Sequence, residues 1–484
     1  MSNYARIFVI FVIFALGLAR AVAADEPLVV VTRDGAPIAG PAFRHASTFS
    51  ELTGSPVELR RLQFKNLYDE IMISFVTGTH PGDVLIIPPA WVPDFAPFLS
   101  EVPDAQLKSL ATALIQPVYK EPLMKWDGRW LAMTVDGDVH IGAYRKDLFE
   151  SQRFRQAFAR EYGRSLEPPR TWAEYIEIAG FFDGQTDESG RRIFGTLEAY
   201  AEGGQRMWYL ISHAVPYASH PQFPGYLFFD PATMAPTINS PAWKRAVEEY
   251  VRLKNYGPPD ADALDSHSVR QRFARGEAAM AIDWSDLGVL TTDPETSAVA
   301  GNVGFFALPG SRRVWNPDQQ NWDMLGHARA VPFLALGGWV AVVPASTTDQ
   351  ERAWAFVDWY GSPANSLEDL RDGSTGINPY RSTHLTNAVG WGEMMGKAAA
   401  EQYLNVLKDS LSAPQVAHEL RIPGYRAYMG ALDTQLRAVL AGTVSIDEAL
   451  NTAAVQWDEI TDRLGRESQL RHYRALMGLA EVGP

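Results

Sequence analysis

Leu28–Val31 is a run of apolar, mostly β-branched residues that gives way to the polar Thr32-Arg33-Asp34-Gly35, the pattern of a short buried strand and a turn. Phe43, Ala46, Phe49 and Leu52 then recur near helical spacing, and the pattern stops at Gly54, which predicts a helix. VELRRLQF (57–64) predicts a second strand. Asn66 is placed to cap a helix that carries Leu67, Ile71 and Phe75 on one face and ends before Gly78. DVLIIPP (83–89) predicts a third strand. Such alternation predicts a parallel sheet with crossover helices, and ligands of open sheets of this kind gather beyond the carboxyl ends of the strands. Asp34, Phe64 and the loop around Trp91 belong to that edge.

The same alternation resumes further along. DGDVHIGAYRKDLF (136–149) predicts a turn, a strand and the start of a helix. RTWAEYIEIAGFF (170–182) opens with Thr171 and Glu174 at capping-box spacing. GQTDESGRRIFGTL (184–197) predicts a polar loop leading into a strand, and its acids do not match a calcium loop. Long helices are expected over 203–215 and 240–256. STTDQERAWAFVDWYGS predicts a helix with a Ser/Thr cap and an apolar face of Ala353, Phe356, Val357 and Tyr360, and its Trp354 and Trp359 read as structural. Ser445 and Glu448 make another capping box, ahead of Leu450, Ala454 and Trp457. No repeat and no Pro-, Gly- or Ser-rich linker divides the chain, which suits two domains joined by several crossings.

One segment departs from this pattern. Arg6, the apolar stretch Ile7–Ala19, Arg20 and the small residues Ala21–Ala24 have the layout of a secretory signal peptide over 1–24. Thirteen apolar residues are too few to span a bilayer, which needs about 20. The chain has no cysteine, so neither disulfides nor a lipid-modified N-terminal cysteine can form. A mature protein free in the periplasm is expected. Removing residues 1–24 takes away two arginines and no acid, which moves the net charge from −14 to −16. That balance argues against nucleic acid as a partner.

Nucleotide-binding glycine motifs, H-E-x-x-H and G-x-S-x-G are absent, and the ten histidines show no metal-ligand spacing. No cofactor and no metal is expected. Fifty-seven acidic residues leave a glycosidase-type carboxylate pair formally open, without a spacing that selects one.

Seven segments in order carry a more specific signal: FKNLYDEIMISFVTGTHPGDVLII, DGDVHIGAYRKDLF, TWAEYIEIA, GEAAMAIDWSDLG (276–288), GNVGFFALPG (301–310), LGGWVAVVPASTTDQERAWAFVDW (336–359) and LRAVLAGTVSIDEAL (436–450). Together they resemble the carbohydrate-binding extracellular solute-binding proteins of ABC importers, family 1, of the maltose/multiple-sugar type. The resemblance implies an α/β, two-lobed periplasmic binding protein fold (type II-like). Its ligand cleft would lie between the lobes, and its hinge would be crossed about three times, near 136–141, 336–342 and 375–380. The implied lobes are 25–138 plus 340–377 and 139–339 plus 378–484. The implied partners are a carbohydrate or polyol and an inner-membrane ABC permease, with the protein acting as a monomer and closing on its ligand.

Sugars present C–H faces, which aromatic rings cover, and hydroxyl edges, which need charged or amide partners because unpaired buried polar groups are costly. Trp284, between Asp283 and Asp286, and GINPYRSTH, with Asn378 and Arg381, offer that mixture. In ALGGWVAVVPA (335–345), Gly338 would let the backbone pass close to ligand and Trp339 would offer a ring. Asp138, Asp34, Asp286, Trp91 and Tyr425 complete the candidate set; Tyr425 falls where the family places cleft aromatics. Each has a plainer reading: core packing for the tryptophans, a turn for Asp138, a helix cap for Asn378, an interlobe salt bridge for Arg381. A secreted carbohydrate-active enzyme and a binder of cationic ligands such as polyamines are the alternatives.

Overall fold

The computed structural model describes residues 26–203, 205–372 and 375–479; the expected signal segment lies outside them. Strand β1 (Leu28–Arg33) is followed by helix α1 (Ala36–Thr53), β2 (Val57–Leu62), α2 (Phe64–Thr77) and β3 (Val84–Ile87). β1 pairs in parallel with both β2 and β3. The sheet order is β2–β1–β3, then Val340–Val342 and Met133–Thr134, with the Val340–Val342 strand antiparallel to both neighbours. Gly54 ends α1 in the left-handed conformation, as Gly78 does for α2.

Two expected caps are displaced. Phe64 already begins α2 after Gln63, so Asn66 sits inside the first turn with its N–H bonded to the Gln63 carbonyl at 2.8 Å. The helix Gln350–Tyr360 is capped by Asp349, whose carboxylate accepts the Arg352 N–H at 3.0 Å, rather than by the preceding Ser/Thr run. Thr171 and Ser445 do cap their helices, each accepting the N–H three residues on.

The second sheet contains β4 (His140–Arg145), β5 (Phe194–Leu197), β6 (Ala278–Trp284) and β7 (Val303–Ala307), in the order β7–β4–β6–β5. β4 pairs antiparallel with β6 and β7, and β5 runs parallel to β6. Every residue of β4 and β6 is buried, because helices cover both faces. Among those helices, α3 (Gln205–Ala218) and α4 (Ser266–Ala274) start beside the first sheet's carboxyl edge. Trp354 is fully buried, in keeping with its structural reading, and Trp359 is half-buried. A hairpin of Ser311–Asn316 with Asn321–Arg329, which the sequence pattern did not suggest, stands beside α3.

The chain leaves the first sheet after Thr134 to enter β4 at His140, and returns between Leu334 and Val340. The third passage falls later than the resemblance implies. Tyr380 O accepts the Gln116 N–H, the Ser382 N–H donates to Leu114 O, and Arg381 bonds to Gly361, so residues 380–384 stay with the first lobe. The helix Lys397–Leu411 lies on β7 in the second.

Behind the passages the lobes touch again. Arg421, buried, donates to the carbonyls of Pro89 (3.0 Å), Pro122 (3.0 Å), Leu123 (3.1 Å) and Lys125 (2.8 Å) in the first lobe. Burial without a counter-charge lowers its pKa to about 9. At an exposed rim nearby, Arg426 pairs with Asp69.

Candidate functional site

Between the two sheets lies a cavity of about 450 Å³. The first lobe gives it Arg33 at the end of β1, the start of α1 from Gly35 to Ile38, and Phe64 at the start of α2. The second gives Trp284, the last residue of β6, with Gln205 and Trp208 from the first turn of α3 and Asp265, Ser266 and Arg270 from α4. Gln205 ties the two helix starts together, donating to Ser266 Oγ at 2.8 Å and accepting the Ser266 N–H at 3.1 Å. Asp138, Trp339 and Asn378 come from the connecting passages.

The glycines of ALGGW serve these passages. Leu336, Gly337 and Gly338 have φ of 64°, 81° and 93°, so three successive residues are left-handed. A Cβ on Gly338 would stand 2.2 Å from the Asp136 carbonyl oxygen. Val135 and Asp136 both donate their N–H to Trp339 O, at 2.9 and 3.2 Å. What passes close to Gly338 is therefore another stretch of backbone, and the expectation of a ligand there is corrected. Trp339 itself does face the cavity, edge-on to Phe64 with ring centroids 6.0 Å apart. Trp284 donates its indole N–H to Ala335 O at 2.8 Å and meets His140 edge-on at 4.5 Å and Trp208 at 5.7 Å.

Buried polar groups form the floor. The Asn378 amide donates to Asp138 Oδ1 at 2.7 Å, and its carbonyl oxygen accepts the Ser285 hydroxyl and the Asp286 N–H, both at 2.6 Å. Its backbone N–H donates to Asp136 Oδ1 at 2.6 Å. Asn378 thus joins the first passage to the turn after β6 rather than capping a helix. Burial raises the pKa values of Asp136 and Asp138, and Asp136 raises that of Asp138 further. Arg270 pairs with Asp283 at 3.0 Å and Asp286 at 2.8 Å, which opposes the upward push of burial on both acids.

Trp208 is held from behind by Glu419, which accepts the indole N–H at 2.6 Å and the Tyr425 hydroxyl. Burial raises Glu419 to about 7 against these hydrogen bonds. Because the folded value lies above the ordinary one, the folded state binds this proton more tightly than the unfolded chain. The resulting stabilisation is full below about pH 4.5 and is lost as pH rises through about 7. The melting temperature should therefore fall across that window, and Glu419→Gln should flatten the fall while keeping the acceptor oxygen. Parallel melting curves for the two proteins from pH 4.5 to 7.5 would refute this.

Of the expected site residues, Trp284, Trp339, Asp138 and Asn378 line the cavity. Arg381 does not. It is fully buried inside the first lobe and donates to Ala111 O, Gly361 O, Ser366 Oγ and the Tyr380 hydroxyl, so it makes neither a ligand contact nor an interlobe salt bridge. Tyr425 stands behind Trp208 on Glu419, and Asp286 lies beneath the wall on Arg270. Trp91 stacks on the far side of Phe64, with centroids 5.7 Å apart. Asp34 is exposed and only its neighbours Arg33 and Gly35 face the cavity. Sequence reasoning missed Arg33, Trp208, Asp265 and Arg270. Their signal was position: each lies at a strand's carboxyl end or in the first turns of a helix that follows one of the polar loops, or caps such a helix.

A family model described as bacterial extracellular solute-binding protein matches residues 34–366. The chain is 21% identical over 360 residues to a probable amino-acid ABC transporter periplasmic-binding protein, y4oP, of Sinorhizobium fredii, covering 72% of this chain and 68% of that one. A solute-binding protein of an ABC transporter from Agrobacterium radiobacter, solved in complex with ribitol, superposes with a TM-score of 0.70 at 21% identity and covers 90% of this chain and 99% of its own. Maltose-bound MalE3 of T. maritima does so with a TM-score of 0.70 at 19% identity, with the same coverage. At these identities the likeness lies in the fold.

Proposed function

The chain belongs to the bacterial extracellular solute-binding proteins, and from that premise we propose that it captures a sugar, oligosaccharide or sugar alcohol in the periplasm for an inner-membrane ABC importer. The observation that carries this reading is the distribution of rings. Phe64 and Trp339 stand on one side of the cavity and Trp208 and Trp284 on the other, with Asp138, held in place by Asn378, at a hydroxyl-binding position between them. Its 450 Å³ lies within the roughly 300–1,000 Å³ of small-molecule sites. Similar folds holding ribitol and maltose support the choice of ligand class.

Rings and polar groups contributed by both lobes favour the closed form when ligand is present, and differential affinity sets the shift. The permease then meets the closed monomer. A binding role without turnover fits the buried acids, since Arg270 and Asn378 already engage Asp283, Asp286, Asp136 and Asp138. Secretion with removal of residues 1–24 is part of the proposal; among the described residues no helix is long and apolar enough to cross a membrane.

The test is a thermal-shift screen of ligand-stripped protein against monosaccharides, disaccharides, polyols, amino acids and polyamines. Binding to the folded state raises the melting temperature by mass action. At least one sugar or polyol should shift it by several degrees. Response only to amino acids, as the name of the curated relative suggests for that protein, or only to polyamines would overturn the reading, and so would sustained turnover of an oligosaccharide.

A further inference from the structure

Arg33 is charged, half-buried and turned into the cavity. Its Nε donates to Asp34 O at 3.0 Å and its guanidinium lies 5.3 Å from the centre of the Phe64 ring, but among the described residues it forms no ion pair. Across the cavity, Arg270 is the contrasting case, neutralised by Asp283 and Asp286. Burial lowers the pKa of Arg33, and Arg270 adds to the lowering, while Asp34 and Asp265 act against it. A partly desolvated guanidinium without an ion pair costs free energy that an incoming anion would restore.

A second feature points the same way. α1, 18 residues long, begins within three positions of Arg33 on Gly35, which offers no side-chain cap. Pro37 has no N–H, and among the described residues the amides of Ala36 and Ile38 have no partner, as expected at the start of a helix. Residues 35–38 line the same cavity as Arg33. A carboxylate there would meet the guanidinium fork and the positive end of the helix together.

We propose that the ligand is an acidic sugar, a uronic or aldonic acid, free or at one end of a short oligosaccharide. Its carboxylate is held by Arg33 and the start of α1, its C–H face lies against Trp339 and Trp284, and its hydroxyls meet Asp138. With Asp265 also in the wall, the single guanidinium without an ion pair suits a singly charged carboxylate better than a doubly charged phosphate ester. The inference rests on the carbohydrate reading above and narrows it.

Isothermal titration of ligand-stripped protein with matched pairs tests it: glucuronate with glucose, galacturonate with galactose, gluconate with sorbitol, and glucose 6-phosphate as the phosphate arm. In at least one pair the acid should bind 30-fold or more tightly than its neutral partner and more tightly than the phosphate. Arg33→Gln should remove most of that preference, and Arg33→Lys, which keeps the charge but loses the fork, should fall between. Neutral sugars binding as tightly as their acids, or a phosphate binding best, would overturn this inference and leave the carbohydrate reading standing. Preference for acid undiminished in Arg33→Gln would overturn the assignment of Arg33. Absence of binding by every sugar, acidic or neutral, would overturn both readings.

Discussion

A Gly338→Ala variant is expected to yield little or no folded protein. The residue has φ of 93°, where an L side chain is strained, and an added Cβ would lie 2.2 Å from Asp136 O and 2.9 Å from Gly137 Cα. Left-handed strain alone costs roughly 1–2 kcal/mol. The contact is worse, because its partners are backbone held by the paired Val135 and Asp136 N–H bonds to Trp339 O and cannot swing aside. Gly337→Ala is the control. Its φ is also positive, 81°, yet the added carbon would meet only the Pro89 ring at 3.1 Å and the end of Leu123 at 3.5 Å. Circular dichroism melts should show Gly337→Ala folded with a modest loss and Gly338→Ala unfolded or insoluble. A Gly338→Ala protein melting within a few degrees of the parent would show that the passages do not press on one another as described.

Trp284→Ala should damage stability and binding together. Only 5% of the side chain is exposed, and it packs on His140, Trp208 and Tyr209 while its N–H holds Ala335 O. Truncating a buried tryptophan costs about 3–5 kcal/mol, on the order of 10 °C in melting temperature for a domain of this size. Loss of the ring should also weaken the best sugar ligand at least tenfold, since Trp208 loses its neighbour and Ala335 its donor. Trp284→Phe separates the two effects: it keeps a ring in the wall and gives up the hydrogen bond, so it should bind within a few-fold of the parent despite a lower melting temperature. Unchanged affinity in both variants would remove Trp284 from the site.

The alternation from Leu28 to Ile87 is readable from sequence because its first and third strands are largely apolar and each helix keeps one apolar face ahead of a glycine stop. The caps at Thr171 and Ser445 are readable for the same local reason, a hydroxyl three residues before a helical N–H. The site is readable only in part. Trp284 and Trp339 combine a ring with a strand end, and that combination does reach the cavity. Arg381 is misread because an arginine beside Asn378 resembles a ligand pair, while the carbonyls of Ala111 and Gly361 that enclose it are 270 and 20 residues away. Trp91 and Tyr425 are misread by a single layer: each supports the residue that does face the cleft, Phe64 in one case and Trp208 in the other. Arg270 and Asp265 lie in a stretch with no motif, and only the packing of α4 against β6 brings them to the opening.

Arg421 has a consequence for how the two halves are joined. Four neutral carbonyl dipoles of one lobe grip a cation sent across by the other, which makes a joint that contains no opposite charge. Dissolved ions slacken attractions between exposed charges, such as that of Asp69 for Arg426 at the rim. They find little to screen at the joint, so brine should loosen the latch and leave the joint seated.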